Sequence, residues 1–347
     1  MNSKNTIKMK QIDGQDQQTT IASKQPQLDS TTPNIKVGIS SCLLGQNVRF
    51  NGGHSRSTFC DNILNQHFSF ETFCPEMAAG FGAPRPTLRL EGDPDSPRLA
   101  YSNKPGSDVT KEFLAPSADY VETLGHLDGY ILMKKSPSCG MSRIKVYQES
   151  GHPHAKARSG LFTELLQKKY PYLPIEEEAR LNDANLRENF ILRVYAHHEF
   201  RHSVDAQLSM KTLIDFHSRY KYVVMSQSQP AYKALGKLLS GTEEMPLKQR
   251  RDCYFRTFME ALSKPAKRRN HCNTLTHLLG YLKRSVESHV RQDILAVIEQ
   301  YGRGEVNLTT PITLLQHYLK HYGSEYAQQQ RYITPYYPAE LGIRNQI

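Results

Sequence analysis

Three cysteines in this chain stand in turns built of small residues, and each follows a short apolar run. Cys42 lies in SCLLG, Cys74 opens CPEMAAGFGAPRP, and Cys139 closes SPSCG. A thiolate is a soft ligand, and three of them brought together would share one inorganic centre. A closed structural zinc site wants four ligands, usually in close pairs, and no CxxC occurs anywhere in the sequence. Three thiolates would instead hold a [4Fe–4S] cube by three corners. The fourth iron would stay open as a Lewis acid for a soft atom such as sulfur. On spacing alone the bland alternative stays open: three buried thiols in glycine-rich turns.

Groups able to move a proton or hold an anion surround these cysteines in the sequence. Glu76 follows Cys74 across a single proline and is the candidate general acid or base; its other reading is a turn carboxylate paired with Arg85 or Arg89. Ser136 and Ser138 flank Pro137 just before Cys139, where a hydroxyl either hydrogen-bonds to a ligand or caps the turn. Arg49, Arg85 and Arg89 offer guanidinium groups to an anionic substrate, or are surface charges. Cys60, Cys253 and Cys272 read as core or boundary residues. Cys272 with His271 or His277 is poorly spaced for a metal site on a helix.

The elements that must position these residues alternate. Residues 35–40 (IKVGIS), 70–73 (FETF) and 128–135 (DGYILMKK) read as strands, with Cys42, Cys74 and Ser136–Cys139 just beyond their ends. Helical spacing is present over residues 57–67 and 109–124, with Pro116 interrupting the second. Alternating strands and helices predict an α/β domain on a mostly parallel, Rossmann-like sheet. Ligands of such sheets gather outside the carboxyl ends of the strands. That rule brings together cysteines nearly a hundred positions apart.

From residue 186 onward the pattern is helical. Asn182 or Asp183 is placed to cap a first helix carrying Leu186, Phe190, Ile191 and Val194; further helices are expected over 204–225, 231–239, 247–262, 275–286, 294–301 and 312–322. An all-α bundle follows, its leucine stripes forming the core. The chain of 347 residues carries a formal net charge of +10, unevenly spread. Residues 35–160 hold 14 Lys/Arg against 12 Asp/Glu, whereas residues 161–347 hold 26 against 19. A basic second half suits a polyanionic partner, with nucleic acid the commonest, or is simply a basic surface. Lys264, Lys267, Arg268 and Arg269 in KPAKRRNH, with Tyr281, Lys283 and Arg284 nearby in sequence, suit phosphate contacts and stacking on unpaired bases. Trp is absent, so stacking would fall to the 19 Tyr, the 13 Phe, His and Arg.

No apolar run approaches the roughly 18 residues a membrane helix needs. Residues 1–34 are rich in Gln, Thr, Ser and Lys and lack the apolar core of a secretory signal, which predicts a disordered extension and a cytoplasmic protein. In that reducing compartment six cysteines are thiols or ligands, not a disulfide scaffold.

KVGISSCLLGQNVRFNGGHSR, CPEMAAGFGAPRPTLRL and DGYILMKKSPSCGMSRIKVY, in that order, resemble the thiouracil desulfidase family, and the likeness runs through LPIEEEARLND. The resemblance implies a [4Fe–4S] cluster on Cys42, Cys74 and Cys139, a catalytic Glu76 and a catalytic Ser136. It also implies non-redox hydrolysis of a thiocarbonyl to a carbonyl with release of hydrosulfide. Many relatives have Tyr-Asp where this chain has Phe50-Asn51, and an Asn51 beside the substrate hydrogen-bonds without titrating. With Arg49, Arg85 and Ser138 it completes the expected substrate-binding set. RRNHCNTLTHLLGYLKR, TTPITLLQHYLKHY and QQRYITPYYP resemble the YbgA-like domain. The fused arrangement is similar to that of RNA desulfidases acting on 4-thiouridine in transfer RNA.

The expected organisation is an extension over 1–34, a desulfidase domain over 35–185, a connecting helix over 186–203 and a helical, RNA-binding domain over 204–340. Two rivals stand beside it. One is a desulfidase of free thiouracil or thiouridine monophosphate whose helices serve oligomerisation. The other is a non-enzymatic iron–sulfur protein that binds RNA or senses redox state. Oligomeric state is not legible in the sequence.

Overall fold

The computed structural model describes residues 34–241 and 244–347. The extension expected over residues 1–34 lies outside them, apart from residue 34. Seven strands are formed among the described residues: β1 (Ile35–Ser40), β2 (Phe68–Phe73), β3 (Leu88–Glu91), β4 (Arg98–Tyr101), β5 (Gly129–Leu132), β6 (Val146–Tyr147) and β7 (Ile175–Glu177). The main sheet has the order β2-β1-β5-β7 and is parallel throughout. The central strands β1 and β5 are buried almost throughout, whereas the edge strand β2 (FSFETF) carries Ser, Glu and Thr and is half-exposed. Register aligns the strand ends: Ser40 lies beside Phe73, Ile39 beside Ile131, and Leu132 beside Glu177. All four carboxyl ends therefore open on one edge. Between β1 and β5 the winding reverses, which is where such sheets form a crevice.

The strand expected over 70–73 begins two residues earlier, and the one expected over 128–135 stops at Leu132. Lys135 ends it by adopting a left-handed backbone, φ 57°. Residues 57–67 do not form a regular helix; a π-helical turn (Phe59–Ile63) and a 3-10 turn (Leu64–Gln66) stand there. Strands β3, β4 and β6 make a second sheet of order β4-β3-β6, which the pattern of the sequence did not reveal.

Eleven α-helices follow in chain order among the described residues: α1 (Pro75–Ala78), α2 (Thr110–Glu122), α3 (Leu161–Lys169), α4 (Ala184–Ser203), α5 (Met210–Gln227), α6 (Gln229–Leu239), α7 (Leu247–Leu262), α8 (Arg268–Leu279), α9 (Ser288–Arg303), α10 (Thr309–Tyr322) and α11 (Glu325–Gln328). Pro116 sits inside α2 without breaking it. Asp183 caps α4 by accepting the Leu186 amide at 3.0 Å, as the sequence predicts. The segment expected as one helix over 204–225 is split by a 3-10 turn at Asp205–Gln207; Ser209 then caps α5.

Alternate residues of β5 enter different cores. Tyr130 and Leu132 pack with Phe113, Val121, Phe162 and Leu166 of α2 and α3. Ile131 faces the other way, into a core that runs from β1 through α4 to α10 without interruption. Helix α4 approaches the sheet closely at Gly129, where a Cβ would stand 2.7 Å from Val194 Cγ2. The chain thus joins a parallel-dominated α/β region to a largely helical one. No helix among the described residues is long and apolar enough to cross a membrane.

Candidate active site

Beyond the ends of β1, β2 and β5 lies a cavity of about 420 Å³, and Cys42, Cys74 and Cys139 all line it. Cys42 sits in a 3-10 turn (Ser41–Leu44) that starts where β1 stops. Cys74 is the cap of α1, whose first residue, Pro75, is preset for a helix. Cys139 ends the loop that leaves β5. Gly80 and Gly82 supply the left-handed turns (φ 77° and 70°) that fold CPEMAAGFGAPRP back over the site.

All three thiols are free, and Cys42 and Cys139 are buried. Burial, then the neighbouring Cys74, pushes the Cys42 thiol up to about 12. Burial also raises Cys74, against the amides of Met77 and Glu76 that donate to it. Cys139 is pushed well up by burial, then by Glu76, Cys74 and Cys42, with the Ser40 hydroxyl pulling the other way. Three mutually repelling thiols in a dry site become thiolates only beside compensating positive charge. Among the described residues no three His, Cys, Asp or Glu side chains close on a single metal ion. A donor set of three soft sulfurs spread around a cavity fits a cluster that assigns each sulfur its own iron.

Glu76 lines the same cavity and is held on both oxygens. Its Oε2 pairs with Arg85, and its Oε1 accepts the Ser138 hydroxyl at 2.7 Å. Arg85 also donates to the Val48 and Gly82 carbonyls at 3.0 and 2.5 Å, while its buried Nε has no acceptor. Arg89 instead pairs with Glu91 at 2.7 Å and lies over the Tyr147 ring. Ser136 lines the cavity, and its Oγ accepts the amides of Ser138 and Cys139 at 3.2 and 3.1 Å. The turn-capping reading of this serine is realised, in a residue that also lines the cavity.

Arg49 lines the cavity too, its guanidinium 5.6 Å from the centre of the exposed Phe50 ring. Asn51 and Ser138 do not line it. Asn51 is exposed and accepts the Gly53 amide at 3.1 Å, and the buried Ser138 reaches the site through Glu76.

Several residues of the site carried no signal in the sequence. Glu177 accepts the Met141 amide and Glu178 the Lys134 amide, each at 2.9 Å, so the acidic end of β7 pins both sides of the Cys139 loop. Thr163 Oγ1 donates to the Cys139 carbonyl at 2.7 Å, and Ser40 Oγ accepts the Met133 amide at 3.0 Å. The run of three glutamates at 176–178 was the available hint, since acidic residues ending a strand are rarely all solvated.

In the helical region Lys264, Lys267, Arg268 and Arg269 are exposed at the start of α8. Arg268 donates to the Tyr301 carbonyl at 2.7 Å and lies over that ring. Lys283 and Arg284 are exposed beyond the other end of the same helix. The last ten residues of α8 and a 3-10 turn (Gly280–Leu282) separate the two groups, roughly 20 Å of rise. Tyr281 is half-buried, its hydroxyl 3.0 Å from that of Tyr222. The two cationic groups thus stand at opposite ends of α8.

The chain is similar to several known proteins. Residues 37–178 match the family model described as 2-thiouracil desulfurase, and residues 221–337 match DUF1722, a protein family of unknown function. The chain is 31% identical over 169 residues to the uncharacterized protein YbgA of Escherichia coli (strain K12), covering 48% of this chain and 98% of that one. It is 30% identical over 151 residues to the uncharacterized protein YbbK of Bacillus subtilis (strain 168), covering 42% of this chain and 97% of that one. Among solved structures, the [4Fe–4S]-dependent thiouracil desulfidase TudS is similar at 27% identity and a TM-score of 0.34, over 43% of this chain and 94% of that one.

Proposed function

We propose, from the premise that this chain belongs to the 2-thiouracil desulfurase family joined to a YbgA-like DUF1722 domain, that it is a cytoplasmic desulfidase of 4-thiouridine in transfer RNA. The observation that carries the reading is the convergence of three free thiols and one clamped carboxylate on a single cavity. Cys42, Cys74 and Cys139 would hold a [4Fe–4S] cluster. When bound, that cluster supplies a Lewis acid for the soft sulfur of a thiocarbonyl and exchanges no net electrons.

The chain's own residues supply the rest. Water replaces sulfur at the ring carbon, so one C–S double bond gives way to C–O and hydrosulfide leaves. Glu76 is the group that takes the water's proton, onto a carboxylate whose two oxygens Arg85 and Ser138 hold in place, one each. Ser136 keeps the wall of the site in shape through two backbone amides and offers its hydroxyl to the water. The basic helical region is the proposed contact for the remainder of the RNA, a partner that the free base does not require. The separation of its two cationic groups along α8 favours a second reading, a desulfidase of free thiouracil or its mononucleotide.

The deciding experiment is anaerobic purification with iron and acid-labile sulfide analysis, then incubation with 2-thiouracil, 4-thiouridine monophosphate and bulk transfer RNA. Four irons with sulfide released from transfer RNA is the expected result. Release only from the small pyrimidines would transfer the proposal to the second reading, and a protein that binds no iron would overturn both. Glu76→Gln is expected to keep the iron and lose turnover, whereas full sulfide release by that variant would remove Glu76 from the chemistry.

A further inference from the structure

Behind the cavity, one buried polar group has no partner in the fold. Tyr130, on the interior strand β5, is fully buried, and its hydroxyl meets no hydrogen-bond partner among the described residues. A hydroxyl taken from water and left unpaired is costly, and phenylalanine would fill the same space without that cost. The sheet is built to place this side chain. Register sets Tyr130 beside Gly38 of β1 and Gly38 beside Glu71 of β2, all three on one face. The tyrosine ring lies across β1 at Gly38, where a Cβ would stand 2.3 Å from its Cδ2 and Cε2. A glycine there leaves the path open. The ring also packs against Phe162, which in turn meets Phe73, the cavity-lining residue before Cys74. Burial first, then Tyr120, Cys139, Cys74 and Glu71, pushes the Tyr130 hydroxyl well up, so two of the three site thiols are among its neighbours.

We infer that the Tyr130 hydroxyl donates a hydrogen bond to a cysteine sulfur of the iron–sulfur centre, that of Cys139 or Cys74. A protonated thiol is a weak acceptor, whereas an anionic thiolate is a strong one, so this bond belongs to the metal-bound form of the site. Tyr130 touches no substrate and acts on the reaction only through the centre. Its hydrogen offsets negative charge on sulfur, as the Met77 and Glu76 amides do at Cys74 and the Ser40 hydroxyl does at Cys139. Hydrogen bonds to the sulfurs are among the levers that set the potential of such a centre. The inference rests on reading the three cysteines as holders of a cluster, and the iron content of the parent chain decides that reading separately.

The test reads the centre and needs no turnover. The full-length parent, Tyr130→Phe and Tyr195→Phe are purified anaerobically and compared in iron content, midpoint potential and rate of iron loss to a chelator. Tyr195 is the control: its hydroxyl is also buried and unpaired, but its ring lies among Phe68, Tyr336 and Tyr337. Tyr130→Phe is expected to take up iron as the parent does and to release it severalfold faster. Its midpoint potential should fall, because losing a donor disfavours the more negative, reduced form. Tyr195→Phe should match the parent in all three. Without iron, Tyr130→Phe should melt no lower than the parent, since the hydroxyl then has no partner to lose. An iron-loaded Tyr130→Phe with the parent's potential and release rate would overturn the inference. So would equal changes in Tyr195→Phe, or a lower melting temperature of iron-free Tyr130→Phe, which would mean that the hydroxyl is already paired within the fold. A parent chain that takes up no iron would remove the cluster reading itself, and this inference with it.

Discussion

Glu76 and the two serines of the Cys139 loop look alike in sequence terms, yet the structure gives them separable work. Ser138 touches one carboxylate oxygen of Glu76 and lies outside the cavity, so it acts through that residue. Ser138→Ala removes one hydrogen bond to a charged group, a loss of about 1.5–3 kcal/mol if it is fully felt in the transition state. Turnover should fall roughly tenfold to a hundredfold with iron content unchanged. Ser136→Ala instead strips the acceptor from two amides of the loop that carries Cys139. Its mark should be a lower melting temperature and substoichiometric iron, beside a fall in turnover per iron from the lost hydroxyl. Parallel iron and rate measurements on the two variants separate the roles, and full iron loading in Ser136→Ala would show that the cap is dispensable. Cysteine and glutamate were legible at this scale because their chemistry is rare in small-residue turns. Ser138 read only as one of two serines beside a proline, since nothing local says that its partner is Glu76, 62 positions away.

At the scale of elements the three strand ends were the informative feature. Parallel register forces Ser40, Phe73 and Leu132 to one edge, so a cysteine after each strand must share that edge with the others. The Cys139 loop is then fixed by packing that sequence periodicity does not express. Its neighbour Gly160 begins α3, and a Cβ there would stand 2.5 Å from the carbonyl carbon and oxygen of Ser138 and 2.9 Å from the Cys139 nitrogen. Those atoms are backbone and cannot swing aside. Gly160→Ala should therefore displace the loop and abolish iron binding, while Gly236→Ala, which meets nothing within 4 Å, should be silent or mildly stabilising. Iron analysis of both variants checks this, and normal iron loading of Gly160→Ala would mean that the loop yields. The second sheet escaped the sequence reading because β3, β4 and β6 are only four, four and two residues long. Helix α4 was read as a connector, yet its Phe190, Ile191 and Val194 belong to the core beneath β1. A leucine or phenylalanine stripe announces burial without saying against what.

On the scale of the whole molecule, the helical region carries a buried histidine, His271, and a half-buried one, His217, that couple stability to pH. Burial, then Arg344 and Arg268, holds His271 down to about 3, and burial with Lys221 holds His217 down to about 4. His271 rests against the Tyr332 hydroxyl at 2.8 Å and His217 against that of Tyr254 at 3.2 Å, so both are satisfied as neutral rings. Unfolded, each would titrate near ~6.5. The native state then binds fewer protons than the unfolded chain between those values, so stability rises with pH across that window. It is complete above ~6.5 and is lost as the pH falls toward the folded values. Going from pH 7 to pH 5 should cost about 2 kcal/mol for each ring, by linkage with these shifts. His271→Gln keeps a group able to meet Tyr332 and removes the titration. Denaturant melts at the two pH values should show a smaller pH-dependent loss in this variant than in the parent, by about the same 2 kcal/mol. Identical losses in parent and variant would mean that His271 titrates alike folded and unfolded, against the lowering its burial and the neighbouring Arg344 and Arg268 give it.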